Sequence, residues 1–449
     1  MPFRSVNPAT EEVLREFASF SKREVDGVLD RLDAASAQTC SSGFEVRAAN
    51  LRALGQTLLR ERNELATLLT QEMGKLRSAA VAEIEKCAAL CEQAPRDVSR
   101  VLASDLFQSK LGRIVFRPYG VILAVMPFNY PFWQVFRVAA TAILLGNTIA
   151  LKHAESTTLA AMRIEELFRS HFSSDVLLHL RSEVADLAGI IADPRVHAVT
   201  LTGGEKAGSN VARMAGENVK KCVLELGGVD PMIITQHAKL DTAVDLALRA
   251  RFQNNGQACI ATKRLYVHES ILGTMLERLR DKLAAFRIGD PIDAKTDLGP
   301  LAKSGAKEAL QAQKKAFVDA GASVVYESTS LPKRGYFAPA TLLTGVPHTL
   351  LEANEAFGPL LAVEKYDALH RLIPLLNFSP TLLGVSVISG NRDECDYAAQ
   401  NLEVATVAIN RIVASDPALP FGGRKRSGFG RELGVGGVLE WATMQTVLT

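Results

Sequence analysis

Hydrophobic and polar positions follow two different periodicities along the chain. In residues 44–98 the apolar positions recur every three or four residues, a spacing that predicts helices. Gly74 divides this segment into at least two helices. Ser21, with Glu24 three positions later, predicts the capping box of an earlier helix. Residues 3–18 precede that helix and are predicted to form a short hairpin.

From about residue 114 onward, short apolar runs alternate with longer segments of helical spacing. Strands are predicted at 121–126, 148–151, 176–180, 198–201 and 222–226, and again at 232–234, 264–267, 323–326, 361–363, 384–388 and 406–409. Strands with few polar positions that alternate with helices indicate βαβ units and parallel sheets covered on both faces. The pattern therefore predicts an α/β fold with two successive sheet systems and no low-complexity linker between them.

Charge and cysteine content narrow the possible classes of function. The 449 residues carry 51 Lys and Arg against 49 Asp and Glu, a net charge of +2, so no nucleic-acid partner is expected. No apolar run reaches about 18 residues, and the first residues lack the apolar stretch of a secretory signal. We therefore expect a cytoplasmic protein without a membrane span. The six cysteines form no CxxC motif and no zinc-like spacing, which favours a reducing compartment and no metal site.

Two segments carry candidate nucleophilic and basic groups. Cys259 follows a Gly-Gln pair in Asn-Asn-Gly-Gln-Ala-Cys, and such a turn can expose the sulfur near a cleft. Alone it is weak evidence, because a free cysteine is more often a small core residue. Glu225 lies inside an apolar strand before Gly227 and Gly228, where a charged carboxylate is costly to bury. It is either a general base with a raised pKa or the ion-pair partner of a lysine such as Lys221.

Two further segments carry candidate groups for binding an oxyanion and a diphosphate. Asn129 lies between two prolines after a predicted buried strand, so a rigid loop could direct its amide at an oxyanion. Turn asparagines are also commonplace. Gly203 and Gly204 join a predicted strand to a helix, and N–H groups at a helix N-terminus suit a diphosphate. The segment does not match the usual GxGxxG motif.

Taken together, these four segments resemble those of the aldehyde dehydrogenase superfamily. The resemblance covers essentially the whole chain, with further matching motifs at residues 151–155, 355–359 and 420–432. Within the superfamily the chain is most similar to bacterial succinate-semialdehyde dehydrogenases, on residues 220–231 and the Asn-Gly-Gln-x-Cys turn. The resemblance implies oxidation of an aldehyde to the acid, with succinate semialdehyde as the expected substrate. The alternatives are other aliphatic or aromatic aldehydes, or a catalytically silent protein with the same fold.

The resemblance also implies a covalent mechanism that agrees with the chemistry of the residues. Cys259 as thiolate attacks the aldehyde, and the Asn129 amide with the Cys259 backbone N–H stabilises the resulting oxyanion. Glu225 then activates the water that hydrolyses the thioester. A free-acid product needs this base, which argues against transfer of the acyl group to coenzyme A.

A set of cofactor-binding residues is implied in the same way. Lys152 is expected to donate to the adenosine ribose, and Glu355 to hold the nicotinamide ribose with Phe357 packed nearby. Gly203 and Gly204 are expected to cover the diphosphate. The remaining positions expected at the cofactor are Phe128, where relatives usually carry Trp, and Leu226; Gly204 also departs from relatives, which usually carry Ser.

The choice between NAD and NADP is expected to depend on Glu155, three residues after Lys152. A carboxylate there accepts hydrogen bonds from free ribose hydroxyls and repels a 2′-phosphate, so NAD is the expected cofactor, with NADP possible. The alternative is that Glu155 points to solvent.

Three residues are expected to contact the distal end of the substrate. In semialdehyde-oxidising relatives an arginine at the position of Arg137 binds the distal carboxylate, and a planar guanidinium suits that task. Gln253 and Ser415 are expected to add neutral donors. The alternative for Arg137 is an ion pair with a surface carboxylate.

The implied architecture has three parts. A Rossmann-type NAD-binding domain is expected at residues 1–105 and 122–227, and an α/β catalytic domain at 228–436. A small antiparallel oligomerisation element is expected at residues 106–121 and 437–449, with a homodimer or homotetramer as the assembly.

Overall fold

A computed structural model describes residues 3–104, 108–353 and 355–449. Its α-helices are α1 (Lys22–Ser41), α2 (Phe44–Met73), α3 (Arg77–Leu102), α4 (Trp133–Leu144), α5 (Thr158–His171), α6 (Leu187–Ala192), α7 (Glu205–Glu217), α8 (Leu240–Phe252), α9 (Leu272–Ala284), α10 (Ser304–Asp319), α11 (His348–Ala353), α12 (Leu369–Phe378), α13 (Arg392–Asn401) and α14 (Gly434–Glu440).

The strands alternate with these helices over most of the chain. They are β1 (Phe3–Asn7), β2 (Glu12–Phe17), β3 (Gln108–Ser109), β4 (Gly112–Pro118), β5 (Val121–Met126), β6 (Thr148–His153), β7 (Leu177–His179), β8 (Val196–Gly203), β9 (Lys221–Leu226), β10 (Pro231–Ile234), β11 (Arg264–His268), β12 (Ser323–Glu327), β13 (Thr341–Thr344), β14 (Leu360–Tyr366), β15 (Gly384–Ile388), β16 (Thr406–Ile409), β17 (Gly428–Phe429) and β18 (Ala442–Leu448).

The N-terminal predictions are confirmed by local geometry. The strands β1 and β2 pair as an antiparallel hairpin. The hydroxyl of Ser21 accepts from the Glu24 backbone and the Glu24 carboxylate accepts from the Ser21 backbone, so the capping box is complete. Gly74 ends α2 with a φ of 74°, a left-handed conformation that costs glycine little.

Two mainly parallel sheets form the centre of the molecule, as predicted. The first has the strand order β17-β9-β8-β5-β6-β7, and the second has the order β12-β13-β14-β11-β10-β15-β16. The sequence pattern does not predict β13, and β12 pairs with it antiparallel. The short strand β17 comes late in the chain yet pairs with β9. Residues 428–429, inside the range predicted for the catalytic domain, therefore complete the first sheet.

A third sheet, with the order β18-β4-β3, is antiparallel and lies within the residues predicted for the oligomerisation element. Residues 106 and 107 of that prediction lie outside the described residues. The C-terminal part of the element consists of the end of α14 and the strand β18.

The register of the parallel strands brings several predicted site residues together. In the first sheet, Val125 pairs with both Lys152 and Leu201, and Thr202 pairs with Glu225. The carboxyl ends of these strands, with the loop that carries Asn129, therefore meet at one edge. In the second sheet β11 and β14 are adjacent and parallel, so the loops that precede them, with Cys259 and Glu355, also meet at one edge.

Candidate active site

A cavity of about 260 Å³ lies where these two sheet edges face each other. It combines the predicted nucleophile, base and oxyanion amide with most of the predicted cofactor residues. The residues on its wall are Pro127, Phe128, Asn129, Gln134, Thr202, Gly203, Gly204, Glu225, Leu226, Gly227, Cys259, Glu355 and Phe357. Five predicted site residues, namely Arg137, Lys152, Glu155, Gln253 and Ser415, lie off this wall.

The turn before Cys259 is fixed by backbone conformations that few residues adopt. Asn254 and Asn255 both have positive φ, 52° and 57°, in the left-handed region that asparagine tolerates better than most residues. Gly256 has a φ of 76°, and a Cβ there would lie 2.4 Å from the carbonyl group of Gly358. Only glycine fits this position, because the loop that carries Gly358 approaches the turn so closely.

Cys259 is partly exposed to the cavity, yet its thiol is the favoured form. Burial raises the pKa of the thiol to about 12, and Glu225 and Glu355 act in the same direction. Lys263 and Arg137 oppose them and lower the pKa. Nucleophilic attack therefore requires a proton acceptor or a change in the surrounding charges.

The amide of Asn129 is held beside the nucleophile turn. Its Nδ2 donates to the backbone carbonyl oxygen of Gln257 at 3.0 Å, and the backbone carbonyl oxygen of Asn129 accepts from Asn254 Nδ2 at 2.8 Å. An amide nitrogen has two hydrogens, so one remains for a developing oxyanion. Glu83 fixes the same loop from behind, because its Oε1 accepts from the backbone N–H of Phe132 and Trp133.

Glu225 is 2% exposed and lies near three charged groups, Arg137, Glu432 and Arg431. Burial raises the pKa of its carboxyl group, Arg137 lowers it, and the buried carboxylate of Glu432 raises it. Lys221, the alternative partner considered from the sequence, pairs instead with Glu440. The surroundings of Glu225 fit a general base with a raised pKa.

Arg137 differs from the open, substrate-facing cation that the sequence analysis expects. It is 2% exposed, with Nε 2.7 Å from Glu432 Oε2 and Nη1 3.7 Å from Glu225 Oε2, and its Nη2 donates to Gln134. The surface ion pair considered as the alternative is also absent from the described contacts of Arg137, because both carboxylates are buried. Every residue of α4 is buried, so the helix has no solvent face on which the guanidinium could remain free.

Ser415 and Gln253 lie off the cavity wall and have other partners. The Ser415 hydroxyl accepts from Lys86 Nζ at 2.8 Å and from Trp133 Nε1 at 3.0 Å, while Gln253 Nε2 donates to the carbonyl of Ala250. Lys86 also lies 4.3 Å above the Trp133 ring. It has no carboxylate within 4.0 Å among the described residues. Burial lowers the pKa of Lys86 to about 8, while the more distant carboxylates of Asp416 and Glu83 raise it.

The predicted adenosine end of the cofactor site contains two lysines around Glu155. Lys152 is buried, and its Nζ is 3.5 Å from the carbonyl of His153, which leaves donors for a ligand. Burial lowers the pKa of both Lys152 and Lys303, and the exposed carboxylate of Glu155 raises both. Lys303 also lies 5.0 Å above the ring of Phe128.

The predicted diphosphate site lies between β8 and α7. The helix begins at Glu205 without a side-chain cap, so its first N–H groups are available to an anion. A Cβ at Gly204 would meet nothing within 4 Å, whereas one at Gly227 would lie 2.2 Å from Glu355 Oε2. The open backbone at Gly204 and the unused donors of Lys152 fit a dinucleotide.

The predicted nicotinamide end is formed by aromatic and acidic side chains. Phe128 and Phe357 pack edge to face, with ring centroids 6.2 Å apart. Glu355 Oε1 lies 3.0 Å from Lys263 Nζ, and Leu226 completes the wall between this end and Glu225.

Sequence reasoning missed the roles of Lys263, Glu432 and Lys86. Lys263 and Glu432 lie within motifs that carry the resemblance, but a motif does not show which carboxylate a cation meets. Lys86 lies in a helical segment with no distinguishing pattern, and its contact with Ser415 spans 329 positions.

Comparison with known proteins identifies the family of this chain. The model of the aldehyde dehydrogenase family matches residues 1–447, so the chain belongs to that family. A probable NADP-dependent succinate-semialdehyde dehydrogenase of Synechocystis sp. is 39% identical, over 100% of this chain and 99% of the relative. The NADP-dependent succinate-semialdehyde dehydrogenase of Deinococcus radiodurans is 38% identical, over 99% of this chain and 94% of the relative.

Solved structures show the same fold. The protein Gox0499, studied for its cofactor and substrate selection, aligns with a TM-score of 0.96 at 33% identity, over 100% of this chain and 99% of its own. Succinic semialdehyde dehydrogenase from Streptococcus pyogenes, in complex with NADP⁺, aligns with a TM-score of 0.95 at 32% identity, over 99% of each chain.

The family and the site together define the reaction. This chain is an aldehyde dehydrogenase, an NAD(P)-dependent oxidoreductase that converts an aldehyde to a carboxylic acid on an α/β fold of this family. Within the described residues, no helix combines the length and apolar character needed to cross a bilayer.

Proposed function

We propose that this chain oxidises succinate semialdehyde, or a similar aldehyde with a distal carboxylate, and that it prefers NAD. The observation that carries the proposal is the cavity shared by Cys259, Glu225 and Asn129, with the cation Arg137 paired to Glu225. The names of the relatives from Synechocystis sp. and Deinococcus radiodurans support the same substrate.

The side chains of the cavity divide the chemistry among them. The Cys259 sulfur forms a bond to the aldehyde carbon while its proton passes to Glu225 or to water. The carbonyl oxygen gains negative charge, which Asn129 Nδ2 and the Cys259 backbone N–H stabilise; one such donor contributes a factor of about 10²–10³ in rate. After oxidation, Glu225 removes a proton from the attacking water, and the C–S bond breaks to release the acid and the thiol.

The dinucleotide would be held by Lys152, the Gly203–Gly204 turn and Glu355. When bound, its nicotinamide ring supplies the acceptor for the hydrogen and electron pair that leave the aldehyde carbon. Phe128 and Phe357 would pack beside it and exclude water.

NAD is expected to give the higher kcat/KM, although the two curated relatives above are named for NADP. The carboxylate of Glu155 repels a 2′-phosphate by about 1–4 kcal/mol at close range, depending on the local dielectric. Glu155→Ser should therefore improve kcat/KM for NADP by roughly tenfold or more, with little loss for NAD. Lys303 remains as a cation for the added phosphate.

Steady-state kinetics with both dinucleotides check this preference. Glu166→Ser, at an exposed glutamate on α5, is the matched control and should leave kcat/KM unchanged for both NAD and NADP. A wild-type preference for NADP, or an unchanged NADP value in Glu155→Ser, would contradict the role assigned to Glu155.

Lys86 and Ser415 are expected to bind the distal carboxylate of the substrate, because the ammonium of Lys86 donates to the neutral hydroxyl of Ser415 and has no carboxylate within 4.0 Å among the described residues. A hydrogen bond to a charged group contributes about 1.5–3 kcal/mol. Lys86→Met should therefore lower kcat/KM for succinate semialdehyde by roughly 10–150-fold and leave butanal nearly unchanged. Arg137→Met should lower kcat/KM for both aldehydes, because Glu225 and Glu432 lose the positive charge that they share.

The two variants are compared on the same pair of aldehydes, with thermal unfolding to confirm that each is folded. Arg137→Lys is the control that keeps the charge. If Arg137→Met lowered kcat/KM for succinate semialdehyde alone, this result would support the sequence prediction that Arg137 itself binds the carboxylate. Equal losses for both aldehydes in Lys86→Met would contradict the role of Lys86.

A dehydrogenase of neutral aldehydes is the second candidate function. The observation in its favour is that Arg137 is already paired with two carboxylates of the protein. The same pair of aldehydes separates the candidates, because a neutral-aldehyde enzyme would show butanal as the better substrate and no response to Lys86→Met.

We also propose the three-part domain division given by the sequence and assembly as a homodimer or homotetramer. The strand β18 lies at the edge of its sheet, with Met444 and Leu448 58% and 77% exposed. Exposed apolar side chains on an edge strand favour pairing with another copy.

A further inference from the structure

Lys263 contacts two parts of the active site that act at different stages. It lies four residues after Cys259, directly before β11, and is 1% exposed. Its Nζ donates to the carbonyl oxygens of Ala258, at 3.1 Å, and of Cys259. The same Nζ lies 3.0 Å from Glu355 Oε1. One buried ammonium therefore joins the backbone of the nucleophile to the carboxylate expected at the nicotinamide ribose.

The contact between Lys263 and Glu355 affects the Cys259 thiol, because both charged groups face that thiol. The titratable groups that face the thiol come from several elements: Lys263, Arg137, Glu225, Glu355 and Tyr130. Arg137 is neutralised by its own ion pairs with Glu225 and Glu432. The charge of Lys263 is offset by Glu355, which is 25% exposed on its side chain and faces the cavity. Of these ion pairs, the one between Lys263 and Glu355 therefore has the most exposed carboxylate, at 25% against 2% for Glu225.

We propose that Lys263 is a positioning residue that couples occupation of the nicotinamide-ribose site to ionisation of Cys259. While Glu355 faces Lys263, the two charges offset each other near the thiol. A carboxylate that turns to accept hydrogen bonds from ribose hydroxyls leaves the ammonium less opposed, and the thiolate becomes more stable. The nucleophile is thereby kept as a thiol until the cofactor is in place. This inference rests on the proposed roles of Cys259 and Glu355.

A purely structural role for Lys263 gives different expectations. If the ammonium only holds the carbonyls of residues 258 and 259, its loss lowers stability and slows every reaction of the site. It would not change how the thiol responds to a ligand at the ribose site. The pH at which Cys259 becomes reactive, with and without that ligand, separates the two roles.

The test measures alkylation of Cys259 by iodoacetamide as a function of pH, with the modified peptide quantified by mass spectrometry. NADH is the added ligand, since its reduced ring carries no positive charge of its own to stabilise a thiolate. The midpoint of the pH profile is compared, because partial blocking of the cavity by NADH changes the absolute rate but not the midpoint. NADH fluorescence establishes saturation of each variant.

In the wild-type protein we expect NADH to lower the midpoint by about one pH unit, the size typical of a nearby charge. Lys263→Met should have a higher midpoint without ligand and no response to NADH. Glu355→Gln should have a low midpoint already without ligand. Lys263→Arg should keep the wild-type response, and Lys314→Met, at a lysine paired with Glu327 on another face, is the matched control.

A wild-type response to NADH in Lys263→Met would overturn the proposal, and so would an unchanged midpoint in ligand-free Glu355→Gln. The second variant needs no cofactor and tests the coupling even where Lys263→Met fails to fold. Failure of the proposed function is recognised separately. If Cys259→Ala still oxidised aldehydes, Cys259 would not be the nucleophile, whatever the result for Lys263.

Discussion

Cys259→Ala is expected to abolish aldehyde oxidation, with a loss of roughly 10⁴-fold or more, as for other enzymes that lose a covalent nucleophile. Alanine cannot form the bond to the aldehyde carbon, and the remaining donors at Asn129 and the backbone have no adduct to stabilise. Dinucleotide binding should persist, because the predicted contacts to the cofactor come from other residues, among them Lys152 and Glu355.

The measurement is steady-state formation of reduced cofactor, together with the dissociation constant for NADH. Cys222→Ala is the matched control, since Cys222 is also partly exposed but lies at the start of β9, away from the cavity wall. Activity above about a tenth of wild type in Cys259→Ala, or an equal loss in Cys222→Ala, would exclude the assignment of the nucleophile.

The second large effect is expected at Glu225. Glu225→Gln should still form the thioester but hydrolyse it slowly, with turnover reduced by about 10²–10⁴-fold, because an amide cannot accept the proton of the attacking water. A burst of reduced cofactor, close to one per active site, should precede the slow phase. The acyl group on Cys259 should be detectable by mass spectrometry of the intact protein.

The pH dependence of wild-type turnover provides a second readout. Burial raises the pKa of Glu225, and the carboxylate is the form that acts as base, so turnover should fall as the pH drops through that raised pKa. This acid limb should disappear in Glu225→Gln. Glu217→Gln, at an exposed i,i+4 ion pair on α7, is the control. Rapid hydrolysis with no burst in Glu225→Gln would show that another group activates the water.

Much of the fold could be predicted because its elements depend on local pattern. The apolar spacing of residues 44–98, the capping residue Ser21 and the terminating Gly74 each act within one or two turns of helix. The buried parallel strands, such as β5 and β9, are short apolar runs that contrast with the helices beside them. The strand β13 was not predicted, because its four residues, Thr341–Thr344, are too few to show a periodicity and follow an irregular segment.

The candidate site was predicted in part for the same reason. Glu225, Asn129 and Cys259 each lie in a short motif whose neighbours restrict the backbone, and the structure brings all three to one cavity. The environment of Arg137 was not predictable, since it depends on Glu225 and on Glu432, which are 88 and 295 positions away in the chain. A sequence shows that a cation is present, but it does not show which charges surround it.

The sequence by itself determined the periodicity of the elements, the parallel α/β architecture and the motif residues that can perform covalent aldehyde chemistry. The elements and the architecture follow from steric and hydrogen-bonding preferences that act between near neighbours in the chain, whereas the motif residues were indicated by their resemblance to the aldehyde dehydrogenase family. Only the tertiary structure decided that Arg137 is neutralised, that Lys86 meets Ser415, and that Lys263 joins the nucleophile loop to Glu355. Each of these depends on burial and on distances between side chains from separate elements, and electrostatic energy changes steeply with both.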